Sequence, residues 1–324
     1  MNTKICFVLF LAFCGLISVK AQFDFDAVER ERMAKARVRT QTEMAHDYVS
    51  GRPAARGHKS SVTKFNQKGF ITEITNFDES GKTISVIIYQ YDSRDNRVNF
   101  ERKDGNGKLQ YSQKAIFDSR GNKTREYGFD GASEYNNTFT YDAAGRVSEI
   151  VYTTDNNVTE RRQFRYIGNR TEVSVYDARN ALTFRQMNTY NDRSLLVSEE
   201  RTGVQGNIQH TLNLKYSPAG SLTEELRRRA DNKLDYQRVH HYDRNNRPIR
   251  VETTNLDGAK FVSNEYQYNA NGDLILVSMR RNERATEPST KRYTYDSRGL
   301  YTEMDNYNAT YKLKFLYKYV YEFF

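Results

Sequence analysis

The chain holds five histidines, His46, His58, His210, His240 and His241, and a general base or a metal ligand would be drawn from these or from the carboxylates. His240 and His241 are adjacent, so on a strand they face opposite ways and cannot chelate one ion together. Glu199 and Glu200 form a mid-strand carboxylate pair; they diverge for the same reason and make a poor acid–base couple. "DGNG" at 104–107 reads as a hairpin turn before it reads as a calcium loop. His-Glu-x-x-His, Gly-x-Ser-x-Gly and a phosphate-cradling glycine loop do not occur. The sequence therefore names no catalytic, cofactor-binding or metal-binding residue, and it reads as a protein that is not an enzyme and carries no cofactor.

Both cysteines, Cys6 and Cys14, lie in the apolar stretch Ile5 to Val19, behind Lys4 and ahead of small residues at Val19 and Ala21. This is the pattern of a secretory signal peptide over 1–21, cut before Gln22. Lipidation at Cys14 is the rival reading, and Phe13 stands where a lipoprotein signal places a small residue. The mature chain then has no thiol, which excludes thiol catalysis, disulfide exchange and cysteine-ligated zinc. Without Lys4 and Lys20 it carries 48 basic and 41 acidic residues, a net charge of +7. Those charges are interspersed, densest in "LRRRA" (226–230) and "MRRNER" (279–284), and they do not make a nucleic-acid footprint.

What would position any site is a repeat. The aromatics Phe65, Tyr91, Phe117, Tyr141, Tyr166, Tyr190, Tyr216, Tyr242, Tyr268 and Tyr295 each open a short turn, and they follow one another at 26, 26, 24, 25, 24, 26, 26, 26 and 27 residues. A second set of turns lies between them, including "FDESGK" (77–82), "TDNNV" (154–158) and "NLDGAK" (255–260). Asp-Gly and Asn-Asn pairs accept the positive φ that tight hairpins need. Apolar residues alternate before each anchor, as in "YQY", "FTY" and "YTY", which is the half-buried strand signal. The Asp that follows the aromatic, at Asp92, Asp118, Asp142, Asp177, Asp243 and Asp296, can accept bonds from N–H groups further along its turn without any catalytic role. Asn-x-Thr at Asn122, Asn136, Asn157, Asn169 and Asn308 reads as turn chemistry, not as glycan acceptors.

These units predict an all-β antiparallel hairpin meander of about 20 strands, with every anchor turn on one rim. So long a twisted sheet curls, here into an open trough, spiral or partial shell; a closed barrel with a wide polar lumen is the alternative. Residues 22–57 read as an N-terminal cap: a short charged helix over 26–36, a first strand from Val38 to Tyr48, and a loop over 50–57. Hairpin repeats fill 58–310. Residues 311–324 read as an aromatic capping strand, with Phe315, Tyr317, Tyr319, Tyr321 and Phe323 on one face. Strands such as "VTERRQFRY" carry charge on both faces, so a membrane-spanning barrel is not expected.

The anchor phrase resembles the YD repeats of the RHS family, roughly Tyr-Asp-x-x-Gly-Arg-hydrophobic. "YDAAGRV" (141–147) matches it fully, "FDSRGNK", "YDRNNRP", "YNANGDL" and "YDSRGLY" match in part, and "YIGNRTE" and "YNDRSLL" are degenerate. The resemblance spans about residues 60–310 and implies a β-spiral shell. Large members enclose a C-terminal toxin and end the shell with an Asp-Pro-x-Gly-Leu cleavage signature. Here "DSRGL" (296–300) has Ser297 in place of that proline and only residues 301–324 follow, so a small exported relative without toxin or autoproteolysis is expected. The sequence thus predicts a periplasmic, cell-surface or secreted scaffold that binds an envelope protein or polysaccharide. A toxin-associated shell remnant or accessory comes second and a glycan-active enzyme third. The sequence leaves the oligomeric state and the partner's identity open.

Overall fold

The computed structural model describes residues 25–324; the expected signal peptide, Cys6, Cys14 and the Gln22 start lie outside them. A helix, Phe25–Lys35, comes first, with Arg32 and Lys35 in its last turn where cations complement the free carbonyls. Twenty-three strands follow. From His58–Phe65 onward each pairs antiparallel with the next, so the hairpin meander is as the sequence predicts.

The expectation of an open trough, spiral or partial shell is wrong, because the sheet closes. The last strand, Leu313–Phe323, pairs with the first, Val38–Val49, through Gln41 opposite Tyr321, Glu43 opposite Tyr319 and Ala45 opposite Tyr317. The first strand also pairs with His58–Phe65, Gln41 lying opposite Thr63. Twenty-two strands form the ring, and the two-residue strand Arg52–Pro53 pairs only with Tyr48 and Val49 as a flap. Closure leaves no strand edge in the ring unpaired, which removes the site at which an open sheet would join another chain.

Strands about 4.8 Å apart and tilted by the ~35–45° usual for barrels put the backbone on a cylinder roughly 40–48 Å across. Side chains from opposite walls cannot meet over that distance. Substantial contacts accordingly run only between neighbouring strands, and the interior is a lumen, not a packed core.

Both rims use mostly one turn. At Asp142 the N–H donates to the Arg146 carbonyl and the Gly145 N–H donates back to the Asp142 carbonyl, with Gly145 at φ +76°. The Asp142 carboxylate accepts from the N–H groups of Ala144 and Arg146, both at 2.9 Å. Asp78 and Asp177 build the same turn on the opposite rim, so Asp177 belongs to the second set and does not mark an anchor. Asp155–Asn156 alone in that second set has positive φ at two successive residues. Asn136 sits mid-strand and accepts from Arg125 Nε at 2.7 Å, so turn chemistry does not explain it.

The helix sits on the anchor rim across the seam. Met33 packs with Val38, Phe65 and Leu300 in a small buried cluster. Arg32 donates to the Gly299 carbonyl and, at 3.0 Å, to Asp273, while Tyr301 donates its hydroxyl to Glu29. The first and last anchor turns are thereby held by one element.

Candidate functional site

Cross-strand partners share a face, so the register divides the wall into two surfaces. One holds the anchors and their alternates, including Tyr89, Phe100, Phe139, Ile150, Val173 and Val251. The other holds the residues between them. The anchor surface is the more buried: Phe139, Ile150, Val173, Val175, Val251 and Val277 are all buried, whereas Ile116, Lys215 and Val320 behind it are exposed. That is the asymmetry of a concave side, where side chains converge. Handedness agrees. Paired residues drift away from the anchor rim as the chain winds round, and with L-residues and right-handed strand twist that drift puts the anchors inside.

The outer surface carries ion pairs around the ring, such as Lys64–Glu73 at 2.9 Å, Arg161–Glu149 at 3.6 Å, Lys215–Glu224 at 2.7 Å and Lys318–Glu303 at 3.4 Å. No helix among the described residues is long and apolar enough to cross a membrane, which says nothing of strands.

The lumen is lined by aromatics fixed at two levels. At the anchor rim the hydroxyls of Tyr91, Tyr141, Tyr166, Tyr216, Tyr242, Tyr268, Tyr295 and Tyr321 each donate to a carbonyl one hairpin back, at 2.7–3.0 Å. Tyr321 lies 26 residues past Tyr295 and acts as an eleventh anchor, so the terminal aromatic stretch continues the repeat. The sequence held that signal in its spacing, and only the hydroxyl's destination was out of reach. Burial pushes the Tyr268 phenol up to about 12. Deeper in, Tyr89, Phe100, Tyr111 and Tyr135 form a strip with ring centres 5.2, 5.4 and 6.5 Å apart. Gly128 lies between the last two, opposite Tyr135, and a Cβ there would stand 1.9 Å from the Ser112 carbonyl. Burial and the bond with Tyr111 raise the Tyr135 phenol well above its usual range.

One charged stretch of the lumen lies on the strands between Leu182 and Tyr242. His210 Nε2 is 3.0 Å from Glu199, and His240 Nε2 is 2.9 Å from Glu225. Burial works to raise the Glu225 carboxyl, but the His240 bond and the Arg238 charge outweigh it and hold the carboxyl below its ordinary value. His241 points outward, 3.7 Å from Glu252, so the two adjacent histidines diverge. His46 is buried under the 50–57 loop and bonded to the Ala54 carbonyl at 2.9 Å, and His58 stands in the strand beside it. Glu199 faces the lumen, and Glu200 opposite Met187 faces out. Among the described residues no three His, Cys, Asp or Glu side chains come together as a metal site. What the lumen offers is aromatic faces beside guanidinium forks, which suits binding a polymer by stacking and charge.

No protein-family model matches the chain, and no curated protein does. Solved structures similar to it include TcdB2-TccC3-TEV, at 12% identity over 82% of this chain and 18% of that one, with a TM-score of 0.29. A porin-like protein from Bacteroides uniformis ATCC 8492 is similar at 11% identity over 89% of this chain and 97% of that one, with a TM-score of 0.32. One from Bacteroides vulgatus ATCC 8482 is similar at 9% identity over 73% and 94%, with a TM-score of 0.24. The chain thus spans 18% of the length of the TcdB2-TccC3-TEV chain.

Proposed function

We propose that this chain is an exported, non-catalytic scaffold that binds an envelope protein or polysaccharide inside its barrel, and that its repeats make it a small relative of the RHS proteins. One observation carries the reading. The wall turns a surface of ion pairs outward, where a lipid-embedded porin has an apolar band, and lines its lumen with tyrosines set among charged groups. A charged exterior suits water, so the barrel stands free of the bilayer in the periplasm, at the cell surface or outside the cell. The aromatic lumen is then the surface left for a guest. A toxin-associated shell remnant is the second reading, favoured by the full match of "YDAAGRV" to the family's phrase.

The test is capture from an envelope extract with three proteins: the wild type, a lumen variant (Phe100→Ala with Tyr111→Ala) and an outer-wall variant (Lys215→Gln with Lys318→Gln). The reading expects the lumen variant alone to lose the captured partner. Loss with the outer-wall variant alone would move the binding surface outside. Flotation of the wild type with lipid vesicles would refute the water-facing exterior, and turnover in a glycan hydrolysis screen would refute the absence of catalysis.

A further inference from the structure

We propose that the lumen wall around Arg201 is a binding site for a carboxylate-bearing polysaccharide, a proposal that rests on the lumen being the binding surface. In one register row Gln186 lies opposite Arg201, Arg201 opposite His210, and His210 opposite Arg229. Arg201 lies over Phe184, its guanidinium carbon 3.4 Å from the ring centre. Its Nε is buried and has no hydrogen-bond partner, and among the described residues no carboxylate pairs with it. Glu199, two residues along the same strand face, is already engaged by Gln186 Nε2 at 3.0 Å and by His210 Nε2 at 3.0 Å. Arg227, on the same side, has its buried Nε 3.2 Å from the Asp235 carboxylate in an ion pair. Arg229 meets Asp231 of the rim turn at 3.7 Å, and both are about half exposed.

A guanidinium pressed on an aromatic ring with no carboxylate of its own beside it is placed for a planar anion, which it can grip with two parallel N–H bonds. The spacing favours a polysaccharide. Arg201 and Arg229 stand two strands apart, about 10 Å, close to the length of a disaccharide. An extended polypeptide repeats its same-side carboxylates at about 7 Å, two residues of rise. Phe184 and Tyr236 border the row on neighbouring strands, each carrying a guanidinium over its ring, of Arg201 at 3.4 Å and of Arg238 at 4.5 Å, so aromatic-backed cations flank the row.

Calorimetry on the purified protein tests this with four probes: oligogalacturonate, its methyl ester, neutral dextran oligomers and polyglutamate. The expected result is oligogalacturonate binding that weakens with salt, with no binding of the ester or of polyglutamate. Arg201→Gln should weaken it roughly ten-fold or more, the scale of one charged hydrogen bond. The more exposed Arg229→Gln should weaken it too, so a folding defect in the first variant would not leave the question open. Lys215→Gln, on the outer wall of the same hairpin, should change nothing. Equal binding by both arginine variants, or absence of oligogalacturonate binding, overturns the site. Preference for polyglutamate makes the guest a polypeptide and overturns the polysaccharide. Dextran binding that Tyr111→Ala abolishes, with no preference for uronate, would sink the Arg201 site and leave the lumen reading standing.

Discussion

Tyr242 donates its phenolic hydroxyl to the carbonyl of Leu222, one hairpin earlier, at 2.8 Å. Tyr268 does the same to Pro248 at 2.9 Å and Tyr216 to Leu196 at 2.8 Å. The bond stitches each hairpin to its predecessor just inside the anchor turn, beside the register shift that the turn introduces. Phe65 and Phe117 keep the ring and lack the hydroxyl, so the bond is not needed at every anchor. Tyr242→Phe should therefore fold and lose about 1 kcal/mol, the net worth of one such bond, in urea unfolding followed by circular dichroism. Unchanged stability would mean that water replaces the phenol there without loss.

The turn carboxylates make a different prediction, about acid. The bond from the Arg146 side chain, then that from the Arg146 N–H, holds the Asp142 carboxyl below its ordinary 3.8, and bonds from Asn96 do the same at Asp92. A carboxylate whose folded pKa is depressed contributes stability that is present above the unfolded value and is lost as pH falls through the folded one. The melting temperature should drop below pH 3.8. The chain already uses Asn66 and Asn191 at the equivalent place, each accepting the same two backbone bonds. Converting Asp92, Asp118, Asp142 and Asp243 together to Asn should keep the fold at neutral pH and flatten the acid limb of the melting curve. An unaltered acid limb would assign acid sensitivity to the strand ion pairs instead.

Two glycines separate backbone strain from crowding. Gly145 has φ +76° and open space where a Cβ would go, so Gly145→Ala should cost about 1 kcal/mol through conformation alone. Gly69 has φ +78°, and a Cβ there would lie 2.1 Å from the Arg30 carbonyl of the helix. Gly69→Ala should cost more and should loosen the helix, read as faster hydrogen exchange over Phe25–Lys35. Equal costs at the two sites would mean that the helix does not depend on close approach to the first anchor turn.

The strands and turns were legible because they are local: alternation, Asp and Gly spacing and the 26-residue beat each act within one hairpin. Closure was not, because it depends on register shifts of about one residue accumulated over the whole ring, and no single step reveals the sum. The pairing of Gln41 with Tyr321 joins residues 280 positions apart and leaves no local mark. The site follows the same rule. The divergence of His240 and His241 is a property of any strand and could be read directly, whereas the unmet Nε of Arg201 depends on which residues three neighbouring strands place beside it.

Closure itself can be tested at the seam, where Thr42 lies opposite Val320. Both face the outer wall, and Tyr319 beside them donates to Glu43 at 3.0 Å across the same junction. Cα atoms of directly opposed residues in an antiparallel pair stand about 4.5–5.5 Å apart, within the range a disulfide spans. A chain begun at Gln22 contains no other cysteine, so Thr42→Cys with Val320→Cys should oxidise to a single intramolecular bridge. The bridged monomer should run faster on a non-reducing gel and melt higher than its reduced form, because the link closes a loop of nearly the whole chain. Deleting residues 311–324 makes the complementary change: it strips the partner from Val38–Val49 and from Tyr301–Asn308 and leaves two bare edges, and such a protein should associate on size-exclusion chromatography. A cysteine pair that stays reduced or links only between chains, together with a truncated protein that remains monomeric and equally stable, would return the sheet to an open trough.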